Sequence, residues 1–356
     1  MACRNVLFFG FAGLGDTLLV TPALSALRDT FPGIHVSVLV VPSGARDALE
    51  NNPCVDEIVF EAGLWRNPLR FVRLIRIIRK MGFDAVVTVY PTSRILYNLL
   101  AFLSGAPERI VHDYPGDSYR KLSFLQNVRV PLIEGGHSVL QNIKLLEPLG
   151  LKDGAYPKIV LNLTDDDVSF AGVFLSGRGF RRGGVLVGFH PGSGGMEYKR
   201  WPLPSFLALA DRLREELGVK PIFFCGPSEK SFSEKVRARG FNVFEGSSLG
   251  ETAALIARCA LFVSNDSALM HVAVSQDVPV AAVFGPTDPA KTGPYTTKKR
   301  EVTSKLSCSP CYDPAAHRRF SCTYGESRCL EAVSVDEVFD AVKPMLKVSR
   351  KGARSK

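Results

Sequence analysis

The chain has 356 residues, more than one ordinary hydrophobic core organises, so two domains are expected. Its 46% hydrophobic and 22% charged composition is that of a soluble globular protein, and it contains no eighteen-residue apolar run to cross a bilayer. The net charge of +9 favours nucleic acid, an anionic membrane or anionic small molecules, but the aromatic stacking motifs and zinc-finger spacings of nucleic-acid binders are lacking.

Residues 1–10 do not read as a signal peptide: Arg4-Asn5 leads into a short strand and Gly15-Asp16 follows closely. The cytoplasm is therefore the expected compartment. Residues 5–9 predict a strand, 11–16 a glycine-rich turn and 17–30 a helix, with Leu18, Leu19, Ala23, Leu24 and Leu27 at helical spacing. A strand at 34–41 ends at Pro42-Ser43-Gly44. A short helix at 45–51, a strand at 57–60, a helix at 68–80, a strand at 85–89 and a helix at 93–103 follow. Strands alternating with helices imply a parallel, doubly wound sheet. Residues 105–132 are less regular, 138–149 read as a helix, and Asp165 opens another running to about 178.

Arg181-Arg182-Gly183-Gly184 is the linker candidate, and after it the pattern restarts. A strand at 185–189 leads into His190-Pro191-Gly192-Ser193-Gly194-Gly195. A helix at 204–217, a strand at 221–225, a turn at 226–230 into a helix ending near Arg239, a strand at 242–244 and a helix at 250–258 follow. The strand at 260–263 runs into Asn265-Asp266-Ser267, which are helix-capping residue types, then a small-residue helix at 269–275. A strand at 278–284 stops at Gly285-Pro286, and 335–346 form a last amphipathic helix. The expected domains are two Rossmann-like halves, 1–180 and 184–334. The helix at 335–347 is a candidate to return to the first half, and 348–356 form a disordered basic tail.

The first glycine turn, with Gly10, Gly13 and Gly15, reverses the order of the dinucleotide fingerprint, and no acidic residue ends the second strand. A nicotinamide oxidoreductase is therefore disfavoured. The turn offers Asp16 at the carboxyl end of a strand, where open α/β sheets bind ligands. Asp16 is there either a general base or the cap of the following helix. In the second half, a glycine turn beside Lys199-Arg200 suits a diphosphate or is a solvated basic loop. Asp266 at a helix start is either part of an anion site or an ordinary cap, and His271 alone reads as structural.

These stretches together resemble a family. Gly13-Leu14-Gly15-Asp16-Thr17-Leu18-Leu19-Val20-Thr21-Pro22-Ala23-Leu24, His190-Pro191-Gly192-Ser193-Gly194 with Lys199-Arg200-Trp201-Pro202, and Phe224-Cys225-Gly226-Pro227-Ser228-Glu229 are similar to motifs of glycosyltransferase family nine. Asp266 to His271 with Phe284-Gly285-Pro286-Thr287-Asp288-Pro289 match its most specific motif. That family comprises the ADP-heptose:lipopolysaccharide heptosyltransferases, and the cysteine cluster resembles that of the heptosyltransferase II branch. The resemblance implies a GT-B fold, two Rossmann-like domains facing across a cleft. It implies an inverting, metal-independent transfer of heptose from an ADP-sugar co-substrate, without a cofactor, to the lipopolysaccharide inner core.

The same resemblance implies roles. Asp16 is the general base and Lys199 pairs with the departing diphosphate. Ser193, Gly194, Ser267, Ala268 and the helix start at Asp266 bond phosphates. Glu229 holds the ribose, Asp266 and His271 the diphosphate or sugar, and Arg200, Thr287 and Asp288 complete the donor pocket. Ala268 stands where the family often has glycine, which leaves another nucleotide-hexose donor open. A non-catalytic nucleotide-sugar-binding module is the other alternative. Acceptor contacts are expected among Gly13, Arg66, Arg70, Arg73, Arg94 and Arg120, with Arg76, Arg109, His112 and Lys121 nearby in sequence. A phosphorylated glycolipid acceptor and an anionic membrane surface are the expected partners, placing the chain peripherally on the inner face of the inner membrane.

Four of the eight cysteines cluster as Cys308, Cys311, Cys322 and Cys329. The C-x-x-C half has the spacing of a zinc site, while the other pair is loosely spaced. Structural metal, free structural thiols, disulfides and an iron–sulfur cluster stay open. A reducing cytoplasm disfavours disulfides. The cluster is expected to lie away from the chemistry.

Overall fold

The computed structural model describes residues 3–41, 43–61, 67–114, 119–152, 154, 157–180, 184–246, 248–312, 322–325 and 327–353. The chain divides between Leu161 and Asn162 into two compact units.

In the first unit, β1 (Asn5–Phe9), α1 (Leu14–Thr30), β2 (His35–Val40), α2 (Ser43–Leu49), β3 (Glu57–Phe60), α3 (Pro68–Met81), β4 (Ala85–Thr88), α4 (Ile95–Leu103), β5 (Glu108–Asp113), β6 (Val128–Pro131) and α5 (Ser138–Lys144) follow in order. The strands form one six-stranded sheet, β3-β2-β1-β4-β5-β6, parallel throughout. Val6, Leu7, Phe8 and Phe9 are all buried, because a parallel sheet covered by helices on both faces needs apolar side chains in both directions. One face packs Leu7 and Phe9 against Leu74 and Ile78 of α3 and Leu100 of α4.

In the second unit, α6 (Asp165–Gly177), β7 (Leu186–His190), α7 (Leu203–Leu217), β8 (Lys220–Cys225), α8 (Lys230–Ala238), β9 (Asn242–Glu245), α9 (Leu249–Ile256), β10 (Leu261–Asn265), α10 (Ala268–Ser275), β11 (Val280–Phe284), α11 (Pro289–Thr292), β12 (Lys299–Thr303), α12 (Arg328–Glu331) and α13 (Val335–Ala353) follow. Its sheet, β12-β11-β10-β7-β8-β9, is also six-stranded and parallel. In each sheet the order reverses beside the first strand, between β1 and β4 and between β7 and β10. Such switch points open a crevice at the carboxyl ends of the strands.

The structure corrects the sequence-based outline at the following points. The unit boundary lies some twenty residues before the expected linker, of which Arg181, Arg182 and Gly183 are outside the described residues. Helix α6 belongs to the second unit: its Phe174 meets Phe244 of β9 edge-on, with ring centroids 5.1 Å apart. Helix α13 packs on α7, β11 and β12 of the second unit, burying Phe339, Val342 and Leu346, and so does not return to the first. The helix runs on to Ala353, through most of the expected basic tail, while 354–356 lie outside the described residues. The irregular stretch 105–132 holds two strands, and a third unforeseen strand, β12, completes the second sheet.

Candidate active site

The first unit offers a strand-to-helix turn. Gly13 is the N-cap of α1, in extended backbone, and its carbonyl accepts from the Thr17 hydroxyl at 2.7 Å. Helix α1 begins at Leu14, earlier than the pattern predicts, so Asp16 is an acid in its first turn and Gly13 holds the capping position. A carboxylate there is favoured by the helix dipole.

Of the expected acceptor residues, Arg70 and Arg73 lie exposed on α3, Arg94 is the exposed N-cap residue of α4, and Arg120 is exposed in the following segment. Arg66 lies outside the described residues. Arg109 and His112 are structural. The Arg109 guanidinium donates to the carbonyls of Leu125 (3.1 Å) and Ala106 (2.9 Å). His112 is buried with its ring nitrogens 3.1 Å and 2.9 Å from the carbonyls of Val130 and Gln141.

The second unit gathers its predicted residues on the loops after β7, β8, β10 and β11. Lys199 ends a short 3-10 turn after β7, and its Nζ donates to Asp266 Oδ2 at 2.7 Å. The Thr287 hydroxyl donates to the same oxygen at 2.7 Å. All three side chains are buried. Lys199 is therefore no part of a solvated loop, and Asp266 caps no helix. The N-cap of α10 is Ser267, whose hydroxyl makes no capping bond. That buried hydroxyl has no hydrogen-bond partner among the described residues. Ala268 opens α10, where free N–H groups and the positive dipole end favour an anion. His271 is buried one turn further along.

Beside this cluster, Ser193 donates to the Met196 carbonyl at 2.6 Å and accepts from Arg200 Nε at 3.1 Å. Arg200 also contacts Glu197 at 3.2 Å and lies over the Phe232 ring. Gly194 adopts φ +60°, as the sharp turn requires. Glu229 is buried, and its Oε2 accepts from the Gly226 amide at 2.8 Å. A methyl group on Gly192 would sit 1.7 Å from Glu229 Oε1, so only glycine lets the carboxylate reach this loop. Burial holds the pKa of His190, the last residue of β7, below the ordinary histidine range, against the opposing pull of Glu229. Asp288 N-caps α11 by accepting from the Ala290 amide at 2.9 Å.

Three neighbours of this cluster were not among the expected site residues. Asn265 is buried at the end of β10. Its amide nitrogen donates to the carbonyls of Pro191 (2.9 Å) and Gly192 (3.1 Å), and its carbonyl accepts from the Trp201 amide at 2.8 Å. It thus fastens both ends of the segment carrying Ser193 and Lys199 to the strand carrying Asp266. Tyr198 and Tyr312 meet edge-on, with centroids 5.7 Å apart, and Lys199 Nζ lies 5.9 Å from the Tyr312 ring centre. Burial and the neighbouring Tyr312 push the Tyr198 phenol up to about 12.

The cysteine segment does not lie away from this site. The amides of Cys311 and Tyr312 each donate to the Pro286 carbonyl at 2.8 Å, and Ser309 donates to the Gly285 carbonyl at 2.6 Å. A Cβ on Gly285 would stand 3.0 Å from Cys329 Sγ and 2.6 Å from Leu330 Cγ. The segment therefore buttresses the turn that aims Thr287 at Asp266. Among the described residues Cys308, Cys311, Cys322 and Cys329 form no disulfide. Among the described residues no three of His, Cys, Asp and Glu are arranged to hold a metal ion.

Residues 71–318 match the model of glycosyltransferase family 9 (heptosyltransferase). The chain belongs to glycosyltransferase family 9. It is 27% identical over 296 residues to lipopolysaccharide heptosyltransferase 3 of Escherichia coli K12, covering 79% of this chain and 83% of that relative. A family 9 glycosyltransferase from Veillonella parvula has the same fold, with a TM-score of 0.82 and 26% identity over 96% of this chain and 97% of that one. E. coli heptosyltransferase WaaC, solved with ADP, superposes with a TM-score of 0.68 and 19% identity over 96% and 97% of the two chains. The protein is a glycosyltransferase of the GT-B class, each unit Rossmann-like. Among the transferase's described residues no helix is long and apolar enough to cross a membrane.

Proposed function

We propose that this family 9 transferase moves a heptose from ADP-heptose to the phosphorylated inner core of lipopolysaccharide, with inversion at the anomeric carbon. The observation that carries the donor half is the buried cluster Lys199–Asp266–Thr287 at the start of α10, beside the unpartnered hydroxyl of Ser267. Asp266 takes one of the three N–H donors of Lys199, so the ammonium is oriented and keeps donors for an anion. That ammonium, the Ser267 hydroxyl and the N–H groups from Ala268 onward suit a leaving diphosphate. Glu229 accepts from the ribose, while Arg200, Ser193 and Gly194 shape the turn around the phosphates. His271 and Asp288 border the same pocket.

In the transfer step the acceptor hydroxyl oxygen attacks the anomeric carbon as the bond to the diphosphate oxygen breaks. Asp16 takes the hydroxyl proton, and ADP leaves with the electron pair of the broken bond. An aspartate is a weak base, so positioning and diphosphate stabilisation supply much of the acceleration. Exposed Arg70, Arg73, Arg94 and Arg120, with the Gly13 turn, provide cations and backbone groups for a phosphorylated, lipid-borne acceptor. An anionic membrane surface is the expected setting.

Incubation with ADP-heptose and a truncated core glycolipid tests the reading. Formation of ADP and of the heptosylated lipid is expected. Turnover only with another sugar nucleotide would overturn the donor assignment, and ADP binding without turnover from any donor would make the protein a binding module.

A further inference from the structure

Asp266 Oδ2 receives two donors that come from opposite sides. Strand β10, which carries the chain into Asp266, lies between β7 and β11 in the sheet. The Lys199 ammonium arrives from the loop after β7 and the Thr287 hydroxyl from the turn after β11, each at 2.7 Å. One carboxylate oxygen holds both only while the two loops keep a fixed separation. Asn265 fastens the β7 loop to β10, but the ammonium itself stands at the end of a flexible four-carbon stem.

Tyr312 touches both loops. Its amide donates to the Pro286 carbonyl at 2.8 Å, and its backbone forms a parallel bridge with Thr287. Its ring meets Tyr198 edge-on, with centroids 5.7 Å apart, and the two phenols share a hydrogen bond. Tyr198 precedes Lys199 in the short 3-10 turn, and its carbonyl accepts from the Ser327 hydroxyl at 2.9 Å. The Lys199 ammonium lies over the Tyr312 ring, 5.9 Å from its centre, within the range at which a cation is drawn to a π system. Lys199 is buried, and that attraction grows as water is removed.

We infer that Tyr312 is a positioning residue for the transfer. Its ring confines the Lys199 ammonium on one side while Asp266 holds it on another, and the remaining N–H donors are left for the diphosphate. The inference rests on the proposed donor site and adds to it a side chain from the cysteine-bearing segment, one that acts through Lys199 rather than on the donor. An ammonium already held on two sides loses less freedom when it meets a phosphate, so the restraint favours both binding and departure of the leaving group.

The test is a double-mutant cycle on the full-length protein, read in ADP affinity and in kcat for heptose transfer. Lys199→Ala is expected to weaken ADP binding by about tenfold or more, and Tyr312→Ala by about fivefold. The double variant should bind no more weakly than Lys199→Ala alone, because the ring acts through the ammonium. In the same way kcat should fall about tenfold in Tyr312→Ala and fall no further when that change is added to Lys199→Ala. The ring is half-buried and the amide bond to Pro286 does not depend on it, so the thermal melt of Tyr312→Ala should match the parent's. Tyr312→Leu, which fills much of the same space without a π face, should lose as much, and Tyr312→Phe, which keeps the face, should return to within about threefold of the parent. Full additivity in the cycle, the outcome of a merely structural role, would overturn the inference. So would parental behaviour of Tyr312→Leu, or a loss in Tyr312→Phe as large as in Tyr312→Ala. Parental ADP affinity together with parental kcat in Lys199→Ala would instead remove the donor-site reading, and the inference with it. If the parent binds ADP but transfers no heptose, the proposed reaction fails and the ADP cycle still decides the role of Tyr312.

Discussion

Asp266 is the residue on which the second unit's candidate site is built. It is buried, receives the Lys199 ammonium and the Thr287 hydroxyl on one oxygen, and directs both toward the start of α10. Asp266→Ala strands a buried ammonium, which costs about 3–5 kcal/mol. Urea denaturation should show that loss, and ADP titration should show weakened binding. Lys199→Ala removes the cation proposed to meet the leaving diphosphate, and kcat is expected to fall about 100-fold or more, a typical cost for one electrostatic stabiliser. Steady-state ADP release measures it, and a kcat unchanged within twofold would remove Lys199 from the chemistry. At this scale the sequence named residues that the fold brings together, Lys199, Asp266 and Thr287, but not their bonds. Asp266 beside Asn265 and Ser267 reads as a helix cap because all three types are capping residues, and only the fold shows Asn265 turned to the Pro191 and Gly192 carbonyls instead.

Among the elements, the glycine turn after β7 is the most constrained. Glu229 reaches the turn because Gly192 has no side chain, so Gly192→Ala drives a methyl into the carboxylate. The variant should fold but bind ADP about tenfold or more weakly, as Glu229 is displaced from its bond to the Gly226 amide. Isothermal titration would check it, and parental affinity would contradict the role of Glu229. The capping box of α6 makes a contrasting case. The Thr164 hydroxyl accepts from the Asp167 amide at 3.2 Å, and Asp167 accepts from the Thr164 amide at 2.9 Å, so Thr164→Ala should cost about 1 kcal/mol in stability and leave kcat alone. Most elements were legible because apolar runs alternate with helix-period segments. The strand β12, Lys-Arg-Glu-Val-Thr, was not, since an edge strand shows one face to water and its half-buried pattern resembles a loop. Strands β5 and β6 were hidden for a similar reason: polar Glu108, Arg109, His112 and Asp113 interrupt one, and Arg129 and Pro131 the other. Helix α6 was assigned to the wrong unit because its apolar side chains do not reveal which sheet they cover until Phe174 is seen on Phe244.

For the whole molecule, each unit buries a histidine with its pKa held below the ordinary range by desolvation, His112 in the first and His190 in the second. The unfolded chain takes up these protons as pH falls below about 6.5 while the native protein resists them. The stability they contribute is therefore present above that pH and is lost as pH falls toward the folded values, by up to about 1.4 kcal/mol per pH unit for each histidine. Denaturation midpoints should drop between pH 7 and pH 5.5, and His190→Asn should flatten the slope; a profile unchanged by that variant would contradict the assignment. The proposed transfer rests on one claim: Asp16 takes the proton of the acceptor hydroxyl. The most direct measurement compares the parent and Asp16→Ala for heptose transfer from ADP-heptose to a truncated core glycolipid, with ADP affinity measured in parallel. Transfer is predicted to fall by about 100-fold or more with ADP affinity kept within about twofold; transfer at the parental rate would contradict the mechanism.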